Sequence, residues 1–194
     1  ELELLQKQSV GLSHQSYNID GHQWALALDA ATQVSCYRND LITSHPKSWD
    51  DLFQLSKNNK VIWPLKPVHA ISSFYSIYNN ITEVFEPNNK NFIQKDFGVK
   101  TLQMMKLISQ YLPSECFGMD PIKTAEILSE HNDFFYSPYT YGFSNYSRTG
   151  YRKNLLTYRN VIDLSGKGPC GTHLGGTGIA ISNKVHDAIV REAE

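Results

Sequence analysis

From residue 21 onward, short apolar runs alternate with amphipathic ones. A polar, irregular opening of about 20 residues gives way through Gly21-His22 to Gln23-Trp24-Ala25-Leu26-Ala27-Leu28, an apolar run of strand length, and Thr32-Gln33-Val34-Ser35-Cys36-Tyr37 supplies a second strand. Pro46-Lys47-Ser48-Trp49-Asp50-Asp51-Leu52 reads as a helix start. Ser48 stands at the N-cap, Asp51 three residues on completes a capping box, and Trp49, Leu52, Phe53 and Leu55 mark one face of a helix ending near Asn58-Asn59. Val61-Ile62-Trp63-Pro64-Leu65 is a short buried strand, and Pro67 sits where a first helical turn tolerates it, ahead of Ile71, Phe74, Tyr75 and Tyr78.

A polar stretch from Glu86 to Lys90 leads into a long helix with Leu102, Met105, Ile108 and Leu112 facing inward, closed by Pro113. Asp120-Pro121 opens another helix by the N-cap and N1 rule, with Ile122, Ala125 and Leu128 inward. Asp133–Ser137 is strand-like, Leu155–Leu164 supplies another strand or two, and Gly175–Ile181 one more before an amphipathic run to Glu194. Strands alternating with helices predict an α/β layer architecture with a mixed, mostly parallel sheet flanked by helices. The absence of a starting Met and the helical run at the end read as an excised fragment.

Charge narrows the function classes. With 18 basic and 19 acidic residues mixed along 194 positions, the net charge of −1 gives no electrostatic footprint for nucleic acid or anionic lipid. No apolar run approaches the roughly 20 residues that span a bilayer, and Glu1–Leu5 lacks the basic start of a signal peptide. Cys36, Cys116 and Cys170 are far apart with no CxxC pair, so neither a zinc cage nor a dense disulfide framework is written. The seven histidines form no metal-ligand pair, and no cofactor is expected. Gly166-Lys-Gly-Pro-Cys-Gly171 matches GxGxxG formally, but Pro169 lies inside it and no helix follows, which favours a surface turn over a nucleotide cradle. Two N-x-S/T triplets, at Asn80 and Asn145, are glycan acceptors only in a secreted eukaryotic protein and equally chance occurrences.

Aromatic content changes the picture more. Eleven Tyr, nine Phe and three Trp exceed what a core of this size requires. Tyr136–Ser147 interleaves four tyrosines and Phe143 with Ser, Thr, Asn, Gly and Pro in one loop-forming stretch. Flat apolar faces beside hydrogen-bonding groups suit a sugar, whose CH faces stack on rings while its hydroxyls take directional partners. A Tyr-rich helix start packed on the domain is the competing reading.

The order of these segments resembles family 1 extracellular solute-binding proteins, the sugar-binding subunits of ABC importers, over nearly the whole chain. Gln23–Asp29 followed by Cys36-Tyr37-Arg38-Asn39-Asp40-Leu41 is similar to the strand that crosses between the two lobes and its "Y-N-x-D-L" ending. Pro46–Leu52 resembles the "P-K-T-W-x-E" helix start, and Ser137-Pro138-Tyr139-Thr140-Tyr141 resembles "G-P-W-x-W", with Tyr in place of Trp. Leu174–Ser182 resembles the returning hinge strand.

The resemblance implies one lobe of a periplasmic-binding-protein type II fold: residues 1–38 as a remnant of the N-terminal lobe with the first hinge strand, 39–174 as the C-terminal lobe, and 175–194 as the returning strand and the start of a helix. It implies an extracytoplasmic, non-enzymatic protein that captures a saccharide in a cleft between two lobes and hands it to ABC permease subunits, with no nucleic-acid partner and no membrane span of its own. By position it makes Tyr139 and Tyr141 stacking groups, and Lys66 and His69, at the corner after Trp63, hydrogen-bonding groups. Trp63 itself, Asp29, Gln33 and the Gly175-Gly176-Thr177 backbone complete the ligand-facing set. The alternative is an α/β hydrolase or transferase using a Cys-His or Asp-His arrangement, for which no nucleophile motif is present.

Overall fold

The computed structural model describes residues 2–82, 92–166, 168, 171–182 and 184. In chain order the elements are α1 (Leu2–Gln8), β1 (Asn18–Ile19), β2 (His22–Gln23), β3 (Leu26–Ala27), β4 (Gln33–Tyr37), α2 (Trp49–Lys57), α3 (Pro67–Ile81) and α4 (Lys95–Ser109). They continue with α5 (Pro121–Glu130), β5 (Tyr136–Tyr141), β6 (Thr157–Arg159) and β7 (Gly178–Ile179). The chain divides into two compact units, one of residues 1–32 with 174–194 and one of residues 33–173.

In the smaller unit β3 and β7 pair antiparallel, Leu26 opposite Ile179 and Ala27 opposite Gly178. The first 20 residues are less irregular than their polarity suggests. They hold α1 and one strand of the β1–β2 hairpin, which turns at Asp20-Gly21 with both residues at positive φ, the geometry that Asp-Gly favours in two-residue hairpin loops. The apolar run expected to be a strand reaches solvent at Trp24 and Leu28, and it is strand at Gln23, the end of β2, and at Leu26–Ala27.

The larger unit carries a three-stranded sheet in the order β5-β4-β6. Both pairings are antiparallel, so the mostly parallel sheet expected from the strand–helix alternation is corrected; the parallel component here is an isolated bridge from Val61 to Tyr136. The reason is local. Val61–Leu65 is fully buried as predicted, but Pro64 has no amide to donate and only Ile62 reaches Tyr136, so the segment docks beside β5 without extending a ladder. Gln33–Tyr37, read from sequence as part of a hinge segment ending at residue 38, is the central strand of this unit.

Two apolar layers enclose the sheet. Leu52 of α2, Ile77 of α3 and Ile108 of α4 pack with Tyr37, Trp63, Tyr136 and Tyr139. Cys36 packs in the other layer with Ala125 and Leu128 of α5, Cys116 and Leu156. Neighbours Cys36 and Tyr37 thus serve opposite faces, as strand alternation requires. The odd spacing of Tyr136 and Tyr139 would normally send them to opposite faces as well. A register shift lets one residue, Ser35, oppose two, Pro138 and Tyr139, and both rings enter the same layer. Pro138 is tolerated at that irregularity because the ladder asks no amide of it there.

Helix ends follow the sequence closely. Ser48 Oγ accepts from Asp51 N at 3.1 Å while the Asp51 carboxylate accepts from Ser48 N at 3.0 Å, and the chain leaves α2 through Asn59 at φ 55°. Asp120 caps α5 through Lys123 N at 2.8 Å, and Pro67 and Pro121 open their helices. The predicted inward face of α4 holds at Ile108, which is buried, and at Met105 and Leu112, which pack against the core; Leu102 is exposed instead, and Gly98 and Thr101 turn inward. Gly98 allows the close approach, since a Cβ there would meet the Ile93 side chain at 2.8 Å. The Tyr-rich segment expected as a loop is β5 as far as Tyr141, and its 3₁₀ turn is then held to α5 by Tyr146, whose hydroxyl donates to Glu126, itself in a bidentate pair with Arg152.

Arg38 closes β4. With 1% of its surface exposed, its guanidinium binds both Asp40 oxygens at 2.6 and 2.7 Å, the carbonyls of Leu128 and His131 at 2.9 Å each, and Asn132 Oδ1 at 3.1 Å. That pair also holds the Asp40 carboxyl below its usual range. Replacing Arg38 by Met strands several acceptors at the end of α5, and the urea midpoint is expected to fall by the equivalent of about 3 kcal/mol with the slope unchanged.

Candidate ligand site

The sequence-predicted residues fall into three groups. Gln33, Trp63 and Tyr139 are all enclosed, at 2%, 0% and 0% exposure. Trp63 and Tyr139 stack on each other with ring centres 5.5 Å apart and planes 28° from parallel. Gln33 Nε2 and Trp63 Nε1 each donate to Ser73 Oγ at 3.1 Å, and Ser76 Oγ donates to Gln33 Oε1 at 2.7 Å. A ring with no accessible surface has no face to offer a solute. Tyr139 is therefore corrected from a stacking group to a core ring, and Gln33 and Trp63 from ligand contacts to the buried polar clamp that fixes α3 on the sheet.

The second group is accessible. At the end of β5, Tyr141 is half-buried; the His69 ring from the first turn of α3 meets it edge-on at 6.4 Å, and its hydroxyl lies 3.5 Å from His173 Nε2. Lys66, exposed, is the N-cap residue three positions before His69, and its carbonyl accepts from His69 N at 2.7 Å. Burial depresses the pKa of His69, with Lys66 acting the same way and Asp120 opposing, and burial also depresses that of His173. Both imidazoles are thus held toward the neutral form. The Tyr141 and His69 rings meet, and Lys66 stands three positions before His69; His173 escaped sequence reasoning, because a lone His in a Gly-rich stretch carries no local signal.

Asp29, Gly175, Gly176 and Thr177 gather within the smaller unit. Gly175 and Ala31 bond reciprocally, Leu28 N donates to Thr177 O, and the Asp29 carboxylate accepts from Thr177 N. Gly176 sits at φ 146° with Asp29 O 2.5 Å from where a Cβ would stand, so only glycine fits. Here the Asp29 side chain and the Thr177 amide serve the strand crossing itself.

Other candidate chemistry is absorbed structurally. Within the GxGxxG stretch, of which Lys167, Pro169 and Cys170 lie outside the described residues, the amides of Gly166 and Gly168 donate to the Asp163 carboxylate at 2.9 and 2.8 Å and are turned away from any phosphate. These bonds hold the Asp163 carboxyl below its usual range. Asn80 is buried and accepts from Leu164 N, which removes it as a glycan acceptor. Cys36 and Cys116 are buried free thiols whose pKa burial raises, the reverse of an activated nucleophile. Among the described residues no group of three or more His, Cys, Asp or Glu is placed to hold a metal, and no helix is long and apolar enough to cross a membrane.

No family model matches the chain, and no curated protein does. Solved structures do. The maltose-bound MalE3 of T. maritima superposes with a TM-score of 0.79 at 16% identity, over 99% of this chain and 53% of that one. An ABC transporter solute-binding protein from Agrobacterium radiobacter in complex with ribitol gives 0.76 at 17% identity, over 99% and 52%. One from Agrobacterium vitis with bound D-mannitol gives 0.67 at 15%, over 97% and 52%. The chain has the solute-binding-protein fold. It spans about half the length of the structures it matches, and the α/β class of periplasmic-binding-protein type expected from the sequence is the one found.

Two outcomes follow for this solute-binding-protein fold. The Tyr139 hydroxyl is buried with no hydrogen-bond partner among the described residues, so Tyr139→Phe is expected to leave stability unchanged or raise it by about 1 kcal/mol, whereas Tyr139→Ala costs about 3–5 kcal/mol in urea unfolding. Because His69 and His173 titrate below their ordinary 6.5 when folded, stability is complete above pH 6.5 and declines as pH falls toward their folded values. Unfolding midpoints between pH 7.5 and 5 should show this decline, and His69→Gln with His173→Gln should flatten it. Carboxylates such as Asp40 and Asp51, lowered from 3.8, lose their contribution only at more acid pH.

Proposed function

We propose that this chain is the ligand-capturing part of an extracytoplasmic substrate-binding subunit of an ABC importer, that its ligand is a carbohydrate or polyol, and that it delivers the ligand to ABC permease subunits without chemical change. In this reading the larger unit, residues 33–173, is the C-terminal lobe, the boundary moved from residue 39 because Gln33–Tyr37 is its central strand, and residues 1–32 and 174–194 carry the outgoing and returning hinge strands. The observation that carries it is the accessible Tyr141 ring between hydrogen-bonding side chains, on a fold whose solved examples hold maltose, ribitol and D-mannitol. A polyhydroxylated ligand needs an apolar face for its CH groups and directional partners that switch between donor and acceptor, and a phenol beside neutral imidazoles supplies both. Among the described residues Asp120 is the carboxylate whose charge reaches His69, and it is already engaged in capping α5. The hydrolase alternative loses support from the buried, unactivated Cys36 and Cys116.

Calorimetric titration with maltose, ribitol, D-mannitol and, as a contrast, amino acids tests the proposal. Saccharide or polyol binding weakened at least about tenfold in Tyr141→Ala and unchanged in Tyr139→Phe is the expected result. Binding of amino acids alone, or saccharide binding indifferent to Tyr141, would sink it.

A further inference from the structure

Tyr141 stands at the end of β5, and a side chain within reach of its hydroxyl comes from the far end of the larger unit's sequence. His173 Nε2 lies 3.5 Å from Tyr141 Oη, across 32 positions of chain. A phenol and a neutral imidazole can pair in either direction, and the tautomer with its proton on Nδ1 leaves His173 Nε2 as the acceptor for the Tyr141 hydroxyl. His69 meets the same ring from α3, so the Tyr141 plane and its hydroxyl are contacted by side chains from two separate segments.

We infer that His173 is a positioning residue of the ligand site: by accepting from the Tyr141 hydroxyl it fixes that hydroxyl's polarity, leaving the phenol oxygen as an acceptor for a ligand hydroxyl, while His69 fixes the ring plane. This rests on the carbohydrate-binding reading above and adds to it a residue and a specificity. The ligand group meeting Tyr141 is a hydrogen-bond donor, a free hydroxyl rather than an ether or acetal oxygen. Lys66 and Asp120 act on His69 through their charge.

The contact is read without any ligand from the imidazole nitrogen signals of ¹⁵N-labelled protein. In Tyr141→Phe the His173 Nε2 signal should move from its wild-type position while that of His131 stays. Binding is read by calorimetry with maltose, ribitol and D-mannitol on wild type, Tyr141→Phe, His173→Phe and His173→Gln. His173→Phe should weaken binding about three- to tenfold, and His173→Gln, whose amide oxygen takes the hydroxyl proton, should restore most of it. The double variant Tyr141→Phe/His173→Phe should bind no more weakly than the weaker single one. An Nε2 signal unmoved by Tyr141→Phe, or equal weakening by His173→Phe and His173→Gln, overturns the inference. A moved signal with no saccharide or polyol bound to wild type leaves the contact real but overturns its ligand role, and locates the failure in the carbohydrate reading.

Discussion

The larger unit depends on one extra residue in β5. Strand side chains alternate between faces, so a strand that places Tyr136 in one layer commits Tyr139 to the other. Where Pro138 and Tyr139 share a single partner, Ser35, the alternation is reset, and both rings join the layer built by α2, α3 and α4. Tyr141, two residues on, meets His69 of α3, and the ladder ends there. The same irregularity that fills the core with Tyr139 therefore delivers Tyr141 to the rim.

What keeps α3 in register with that rim is a buried polar clamp. Gln33 at the start of β4 and Trp63 both reach Ser73, and Ser76 returns a bond to Gln33, so donors and acceptors from three segments satisfy one another away from water. Such a network is worth little if counted bond by bond, yet costly to leave incomplete, and so it admits one helix position. Arg38 acts similarly at the other end of β4, gathering the last carbonyls of α5. The first turn of α3, with Lys66 and His69, is thereby held by the interior of the unit, which gives a recognition surface a rigid support.

Electrostatically the rim is quiet. Burial favours neutral imidazoles at His69 and His173, while the ion pairs Arg38–Asp40 and Arg152–Glu126 lie elsewhere. A ligand with no net charge meets no penalty there, and one held by hydroxyls finds partners of both polarities. Burial raises the pKa of the Cys36 and Cys116 thiols, the reverse of what an activated nucleophile needs.

The sequence by itself determined whatever depends on near neighbours: the capping box at Ser48, the proline-led starts of α3 and α5, the Asp-Gly geometry that a hairpin turn needs, and the order of segments that resembles solute-binding proteins. The same resemblance, rather than a local signal, put Tyr141, Lys66 and His69 in one expected site, since the stretch holding Tyr141 read as a loop. Only the tertiary structure decided the sheet's direction, the exposure of Leu102 on α4, and the fate of Tyr139, Trp63 and Gln33. Each of these depends on a partner distant in sequence, and the register reset at Pro138 changes which face a residue serves without changing any residue's identity. His173 belongs with them: nothing in its own neighbourhood marks it, and its meaning comes from a tyrosine 32 positions away.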